Sequence, residues 1–290
     1  MKLFEATYRE GFEFYERYFC TERNDSFVAK ISKQSEYYVP DSRGIYSYLL
    51  DETKKLSKRN GNCKESISYG KLQPDVVHIR DEYWDKTKSK YNYNPRKWYI
   101  DIETTALDKI DVAAVKEELL LIQIFDTTTN TMIILGSKPW NGKSKYNYSF
   151  DCKYLNCENE IKLFETFFAL IKKMQPLMVL GWNTNGFDYP FLYNRAKKLG
   201  FDTNAFSPYS KSKLSMFMTD KGMKSYKLEA DGVFYLDYLE IYKKYTYTPR
   251  ASYSLDNIAY VELGERKINH NMYSTFDGFR TGDSYVFPGT

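Results

Sequence analysis

From Lys97 onward the apolar positions fall first into short strand-like runs and then into a helical spacing. "WYIDIE", "ELLLIQIFD" and "TMIILG" read as three strands, the last two joined through "DTTTN". "ENEIKLFETFFALIKKMQP" then places apolar residues at Ile161, Phe164, Phe167, Phe168, Ile171 and Met174. That is helical spacing, opened by acids and closed by lysines and a proline, the polarity a helix dipole favours. "LMVLGW" reads as a fourth strand, "YPFLYNRAKKLG" as a helix stopped by Gly200, "VFYLDYLEIYKKY" as strand-to-helix and "SYSLDNIAYVEL" as a helix. Three strands, then helix, strand, helix, predict an α/β sheet that begins antiparallel and continues through a crossover.

Residues 1–95 follow a different rhythm. "SFVAKIS" and "SEYYVP" alternate as strands do, and "DSRG", "KRNGNCKE" and "KYNYNPRK" interrupt them as turns. "DEYWDKTKSKYNYNP" reads as an exposed polar link. The expectation is two domains: a smaller, mixed but β-rich one over 1–95 and an α/β one over 96–290.

The chemistry concentrates at two places. In "RKWYIDIETT" a strand expected to be buried at Trp98, Tyr99 and Ile100 runs into Asp101 and Glu103. Acids two apart on a strand leave the same face, with backbones roughly 6–7 Å apart. Either the strand end is merely solvated, or the acids share a hard divalent cation such as Mg²⁺ or Mn²⁺, which would relieve their repulsion. In "LGWNTNGFDYPFL" Asn183, Phe187 and Asp188 follow the fourth strand, with Asp188 just ahead of Pro190. Asp188 is there either to cap the next helix or to hold a carboxylate over the sheet edge, where sites of open α/β sheets form. Phe187 and Tyr189 are either core residues or stacking surfaces for nucleic-acid bases.

Composition narrows the class without choosing it. At 290 residues, 42% hydrophobic and with 28 tyrosines, the chain has material for a sizeable core. No run of eighteen apolar residues predicts a membrane span, and the charged start "MKLFEATYREGFEF" argues against a signal peptide. Cys20, Cys63, Cys152 and Cys157 are few and unevenly spaced, as reduced thiols are, and two histidines offer little to a zinc site. A net charge of +4 permits nucleic-acid binding without requiring it.

"WYIDIETT" and "LGWNTNGFDYPFLYNRAKKLG" resemble the first and second exonuclease motifs of family B DNA polymerases, the T-even-phage type in particular. The likeness continues through "DGVFYLDYLEIYKKYTY" and "ASYSLDNIAYVELGE", is joined by "IRDEYW", and covers roughly residues 78–268. The resemblance implies a ribonuclease-H-like (DnaQ-like) domain that removes nucleotides from a DNA 3′ end by a two-metal mechanism, using two Mg²⁺ or Mn²⁺ ions. It implies that Asp101 bridges the ions, that Glu103 holds the one activating water and that Asp188 holds the other. Asn183, Phe187 and Tyr189 would then touch the substrate, single-stranded DNA or the primer 3′ end. A phage proofreading module of this kind works in the host-cell cytoplasm.

The family also carries a third motif, Tyr-x-x-x-Asp on a helix. One literal match exists here, from Tyr273 to Asp277, but Gly278 and Gly282 make it a poor helix. The expectation is that the third motif lies beyond Thr290, on a C-terminal polymerase polypeptide that docks here, with Asp277 in a free-standing enzyme as the competing reading. Phe276, Phe279, Tyr285, Val286 and Phe287 would form a partner surface or fold back onto the domain. A chain that only binds single-stranded nucleic acid, without cleaving it, is the alternative from a different class.

Overall fold

A computed structural model of the chain describes residues 1–48, 51–84, 93–105, 110–140, 149–209, 211–219, 222 and 224–267. The chain divides into two compact units, Met1–Asn94 and Pro95–Thr290.

In the first unit β1 (Lys2–Glu10), β2 (Glu13–Cys20) and β3 (Asp25–Lys30) form an antiparallel meander. A second antiparallel sheet joins β4 (Glu36–Pro40), β5 (Tyr46–Tyr48), β6 (Asp51–Asn60) and β7 (Tyr69–Leu72) in the order β5-β6-β4-β7. Helix α1 (Pro74–Tyr83) follows, with Pro in its first turn, where a missing N–H costs nothing. A buried carboxylate on the meander is fully partnered, as burial demands: Glu16 receives Lys2 and the Tyr83 hydroxyl and lies 2.7 Å from His78 Nε2. The polar link expected from Asp81 onward is thereby corrected. Asp81–Tyr83 complete α1, and Tyr83 turns inward because its hydroxyl has a buried acceptor and its ring packs 5.4 Å from Phe4.

The second unit is built on a six-stranded sheet. Its strands are β8 (Lys97–Thr104), β9 (Leu119–Asp126), β10 (Thr131–Gly136), β11 (Asp151–Asn156), β12 (Met178–Gly181) and, after a separate hairpin of β13 (Ser212–Met218) and β14 (Lys224–Ala230), β15 (Phe234–Asp237). The order across the sheet is β11-β10-β9-β8-β12-β15. β8, β9 and β10 run antiparallel in sequence. Helix α2 (Glu160–Met174) then carries the chain over to β12, which lies parallel to both β8 and β15. Helices α3 (Asp188–Lys198), α4 (Tyr238–Tyr245) and α5 (Leu255–Leu263) complete the unit. The antiparallel start and the crossover match the expectation. β11, parallel to β10, and the β13–β14 hairpin were not anticipated.

Alternation along β8 sets the two faces of the sheet. Trp98, Ile100 and Ile102 are buried under α2 and α3, with Leu163, Phe164, Phe167 and Ile171 from the first helix and Phe191 and Leu192 from the second. The apolar stripe of α2 is therefore rotated from the expected one: Leu163 is in the core and Ile161 is 41% exposed. Tyr99, expected inside, is 45% exposed, since it belongs to the opposite face. α3 is capped at Leu199, with Gly200 following in the left-handed region at φ +84°, the usual helix stop.

One ion pair ties these layers together. Arg195 on α3 donates to Glu160 at the start of α2 through Nε (2.8 Å) and Nη2 (2.6 Å), and through Nη1 to the Val115 carbonyl (3.0 Å). Glu160 also accepts the Leu119 N–H at the head of β9, at 2.7 Å. Removing one partner leaves a buried charge uncompensated. Arg195→Ala is expected to lower the unfolding free energy by about 3 kcal/mol, read as a shifted urea midpoint with an unchanged slope.

Candidate active site

The parallel strands β8, β12 and β15 point their carboxyl ends the same way, and the acids gather there. Asp101 and Glu103 leave the face opposite Trp98, Ile100 and Ile102, across from Gln123 and Leu121 of β9. That face borders a cleft of about 610 Å³ walled by Tyr99, Phe125, Trp182, Tyr238 and Tyr242, with Asp101 on its wall. Asp188 is the first residue of α3, where the helix dipole favours a negative charge. The approach to it is tight. A Cβ at Gly181 would lie 2.6 Å from the Ile100 carbonyl, so only glycine lets β12 end this close to β8.

The electrostatics join these acids through Asp101. Asp101 reaches solvent, yet protein surrounds most of it, and that loss of water pushes its carboxyl up against the pull of the Lys267 charge. Glu103 is pushed up to about 7, first by burial and then by the negative charge of Asp101, with Lys267 opposing. Asp188 is 3% exposed and raised well above the ordinary aspartate range, first by burial, then by the charge of Asp101, with that of Asp237 adding to it. The Ile102 N–H works the other way on both aspartates.

Among the described residues, no three Asp, Glu, His or Cys side chains close round one point as a ready coordination shell. The acids converge pairwise instead, on Asp101. Their donor set is hard oxygen, and Oδ1 of Asp188 is buried with no hydrogen-bond partner. An orphaned, desolvated carboxylate oxygen beside other carboxylates fits a divalent cation, which would satisfy that oxygen and offset the repulsion.

The loop between β12 and α3 holds the remaining residues singled out in the sequence. Asn183 is exposed and takes φ +62°, a left-handed conformation that Asn tolerates. Phe187 is half-buried, packed against the core with its ring 5.9 Å from Phe191. Tyr189 corrects the stacking expectation. It is 0% exposed, with its hydroxyl 2.9 Å from the Val179 carbonyl and 3.2 Å from that of Leu236, so it fastens α3 to β12 and β15 and offers no face to a base. Tyr273 and Asp277, and the apolar group around Phe276, lie outside the described residues.

Sequence reasoning missed Asp237. Its carboxylate accepts the Asn183, Asn185 and Leu239 N–H groups at 3.0, 3.0 and 2.9 Å, joining the loop to the start of α4. An acid between an apolar strand and an amphipathic helix is an N-cap signal, which "YLDYLEIY" carries. Trp182 was also passed over. Its indole N–H donates to the Tyr253 carbonyl at 3.0 Å.

Residues 46–258 match the family model for the exonuclease domain of DNA polymerase family B. The chain is 31% identical to the DNA-directed DNA polymerase of Escherichia phage RB69, over 81% of this chain and 28% of that protein. It is 32% identical to the DNA-directed DNA polymerase of Enterobacteria phage T4, over 41% of this chain and 13% of the relative. A DNA polymerase catalytic subunit of Elephantid herpesvirus 1 is 26% identical, over 38% of this chain and 11% of its own length. The chain thus spans well under a third of these relatives.

The raised acids give the metal-free chain a pH-dependent stability. Glu103 binds its proton more tightly folded than unfolded, so its contribution is full below its ordinary value near 4.5 and is lost as pH climbs through about 7. Glu103→Gln removes that loss. In EDTA at pH 8 the variant is expected to be more stable than the parent by about 2 kcal/mol, a figure reduced for partial solvent screening, or about 4 °C in Tm. At pH 5 the difference shrinks, and thermal melts at the two pH values measure it.

Proposed function

The chain belongs to the family of DNA polymerase family B exonuclease domains, and from that premise we propose that Asp101, Glu103 and Asp188 are the metal-binding carboxylates of a 3′→5′ DNA exonuclease. The observation that carries this reading is the convergence of like charges on Asp101: two acids on one strand and a third at a helix start, each pushed up by loss of water and two of them by the Asp101 charge, an arrangement a divalent cation would relieve. The antiparallel meander followed by a crossover supports a ribonuclease-H-like fold for the second unit.

Two Mg²⁺ or Mn²⁺ ions, if held there, would lower the pKa of an attacking water and offset charge on the leaving 3′-oxygen of an in-line phosphodiester cleavage. Asp101, the acid that interacts with both others, would be a ligand shared between them. Glu103, the more solvated of the outer pair, would hold the ion on the water side, and the deeply buried Asp188 the other. Asn183 and Phe187, exposed and half-buried at the mouth of the loop, are the residues of that segment left free to meet the terminal nucleotide. Tyr189 supports them from the core.

The phage relatives, far longer than this chain, are DNA-directed DNA polymerases, and proofreading within such an enzyme is the role we assign to it. A phage replicative polymerase brings single-stranded DNA or a primer 3′ end to this site. The fourth carboxylate that the family's third motif supplies comes either from Asp277 or from a polymerase polypeptide. Among the described residues no helix is long and apolar enough to cross a membrane.

The test is degradation of a 5′-labelled single strand and of a labelled duplex end in Mg²⁺ or Mn²⁺, with and without an added polymerase fragment. Stepwise shortening from the 3′ end is expected, abolished by EDTA and reduced about a hundredfold or more by Asp101→Ala. Loss of activity on Asp277→Ala assigns the fourth acid to this chain, whereas activity only with the fragment assigns it to a partner. Tight strand binding with no cleavage under any of these conditions overturns the exonuclease reading in favour of a binding module.

A further inference from the structure

Asp237 is 5% exposed and stands at the carboxyl end of β15, paired in register with Gly181 at the end of β12. From there it serves two segments at once. Its Oδ1 accepts the Leu239 N–H at 2.9 Å and so caps its own helix, α4. The same oxygen accepts the Asn183 N–H at 3.0 Å, and Oδ2 accepts the Asn185 N–H at 3.0 Å. A helix cap needs only the first of these bonds. The other two reach across the strand gap to the loop that delivers Asp188.

That loop has few other anchors for its shape. Asn183 is held left-handed at φ +62°, and its carbonyl accepts the Gly186 N–H at 3.0 Å. A Cβ at Gly186 would fall 2.8 Å from Asn183 Oδ1, so the turn is closed tightly on itself. The Thr184 carbonyl accepts the Tyr189 N–H at 3.0 Å, which passes the position of residues 183–185 directly to the first turn of α3. Asp188 ends with one oxygen buried and without a partner, an arrangement that repulsion from nearby acids would relax if the loop were free to move. The Asp237 charge itself adds to the repulsion felt by Asp188. Asp237 therefore gives Asp188 no electrostatic help, and its service to that residue is geometric.

We propose that Asp237 is a positioning residue for the metal site: through its two bonds to the Asn183 and Asn185 amides it fixes the β12–α3 loop so that Asp188 faces Asp101. The inference rests on the exonuclease reading of the three acids. It adds a residue that touches neither substrate nor cation.

Two variants separate its two tasks. Asp237→Asn keeps the shape but turns an amide NH₂ toward backbone donors. Asp237→Ser keeps a good cap for α4 and is too short to hold the loop amides. Mn²⁺ is titrated into the full chain and followed by electron paramagnetic resonance, with melting temperature measured in parallel. Asn159→Ala, which removes the N-cap of α2, controls for destabilisation at a distance from the site. Both Asp237 variants are expected to weaken Mn²⁺ binding about tenfold or more, as loss of a residue that orients a metal ligand does. Asn159→Ala should leave it unchanged at a comparable loss of Tm. If the unaltered chain binds Mn²⁺, Asp188→Asn weakens that binding and both Asp237 variants stay within twofold of the parent, the positioning role is overturned and the metal reading stands. If the unaltered chain binds no Mn²⁺ either alone or with the polymerase fragment added, the metal reading falls and this inference falls with it.

Discussion

Repulsion among desolvated carboxylates at one end of the sheet is the constraint the second unit is organised to withstand. Asp101 raises both Glu103 and Asp188, and all three have lost much of their water. Left to relax, such a group would splay toward solvent. The fold prevents this by placing Asp101 on β8, an interior strand paired on both sides and pinned beneath by Trp98, Ile100 and Ile102. Asp188 is held from the other direction, by an α3 whose Tyr189 is locked into the core and whose Arg195 is paired to Glu160. The rigidity of these supports is what allows an unfavourable cluster to persist, as functional sites commonly require.

The two faces of the sheet divide the work. Under β8 the face is closed by α2 and α3 over a continuous aromatic and aliphatic core, including Phe164, Phe167, Phe191 and Phe206. The opposite face is left with a cleft walled by aromatic and aliphatic side chains, with Asp101 and Glu262 among its lining. Burying both faces would have added stability but sealed Asp101 and Glu103 away from solvent. The exposed Tyr99, alternating with buried neighbours, marks the strand along which that choice is made. Trp182 walls the cleft, and its N–H is tied to the Tyr253 carbonyl ahead of α5, which lines the same cleft.

Much of this was legible in the sequence because it is written in local periods. The period of two along "WYIDIE" puts Asp101 and Glu103 on one face, and the helical spacing of "ENEIKLFETFFALIKKMQP" gives α2 to within two residues at each end. What the period could not give was which side of a short apolar strand is inside. Tyr99 and Ile161 were misplaced because an aromatic and an isoleucine look like core residues until the sheet's partners are known. β11, "DCKYLN", carries almost no hydrophobic signal, being an edge strand that is exposed for most of its length. The role of Tyr189 was misread for the opposite reason. Its neighbour Asp188 turns toward the other acids, but consecutive residues at a helix start point to different sides, and Tyr189 points inward to two backbone carbonyls. The cap that Asp237 makes for α4 had a local signal, but its hold on the loop did not, because those two partners are backbone amides more than fifty positions away and a backbone amide has no sequence signature.

The difference between Glu103 and Asp188 follows from where the fold ends rather than from the residues themselves. Both are acids coupled to Asp101, yet Glu103 emerges near the end of a strand and keeps some water, whereas Asp188 is tucked beneath the loop that precedes it. One carboxylate therefore meets solvent and the other meets protein. A cation at Asp188 would replace a missing hydrogen bond, while one at Glu103 would compete with water for an oxygen already partly solvated. Two carboxylates of unequal depth, each coupled to Asp101, are thus built into the strand-and-loop geometry. The asymmetry arises because a strand delivers its side chains to a face, and a helix start delivers its first side chain to an edge.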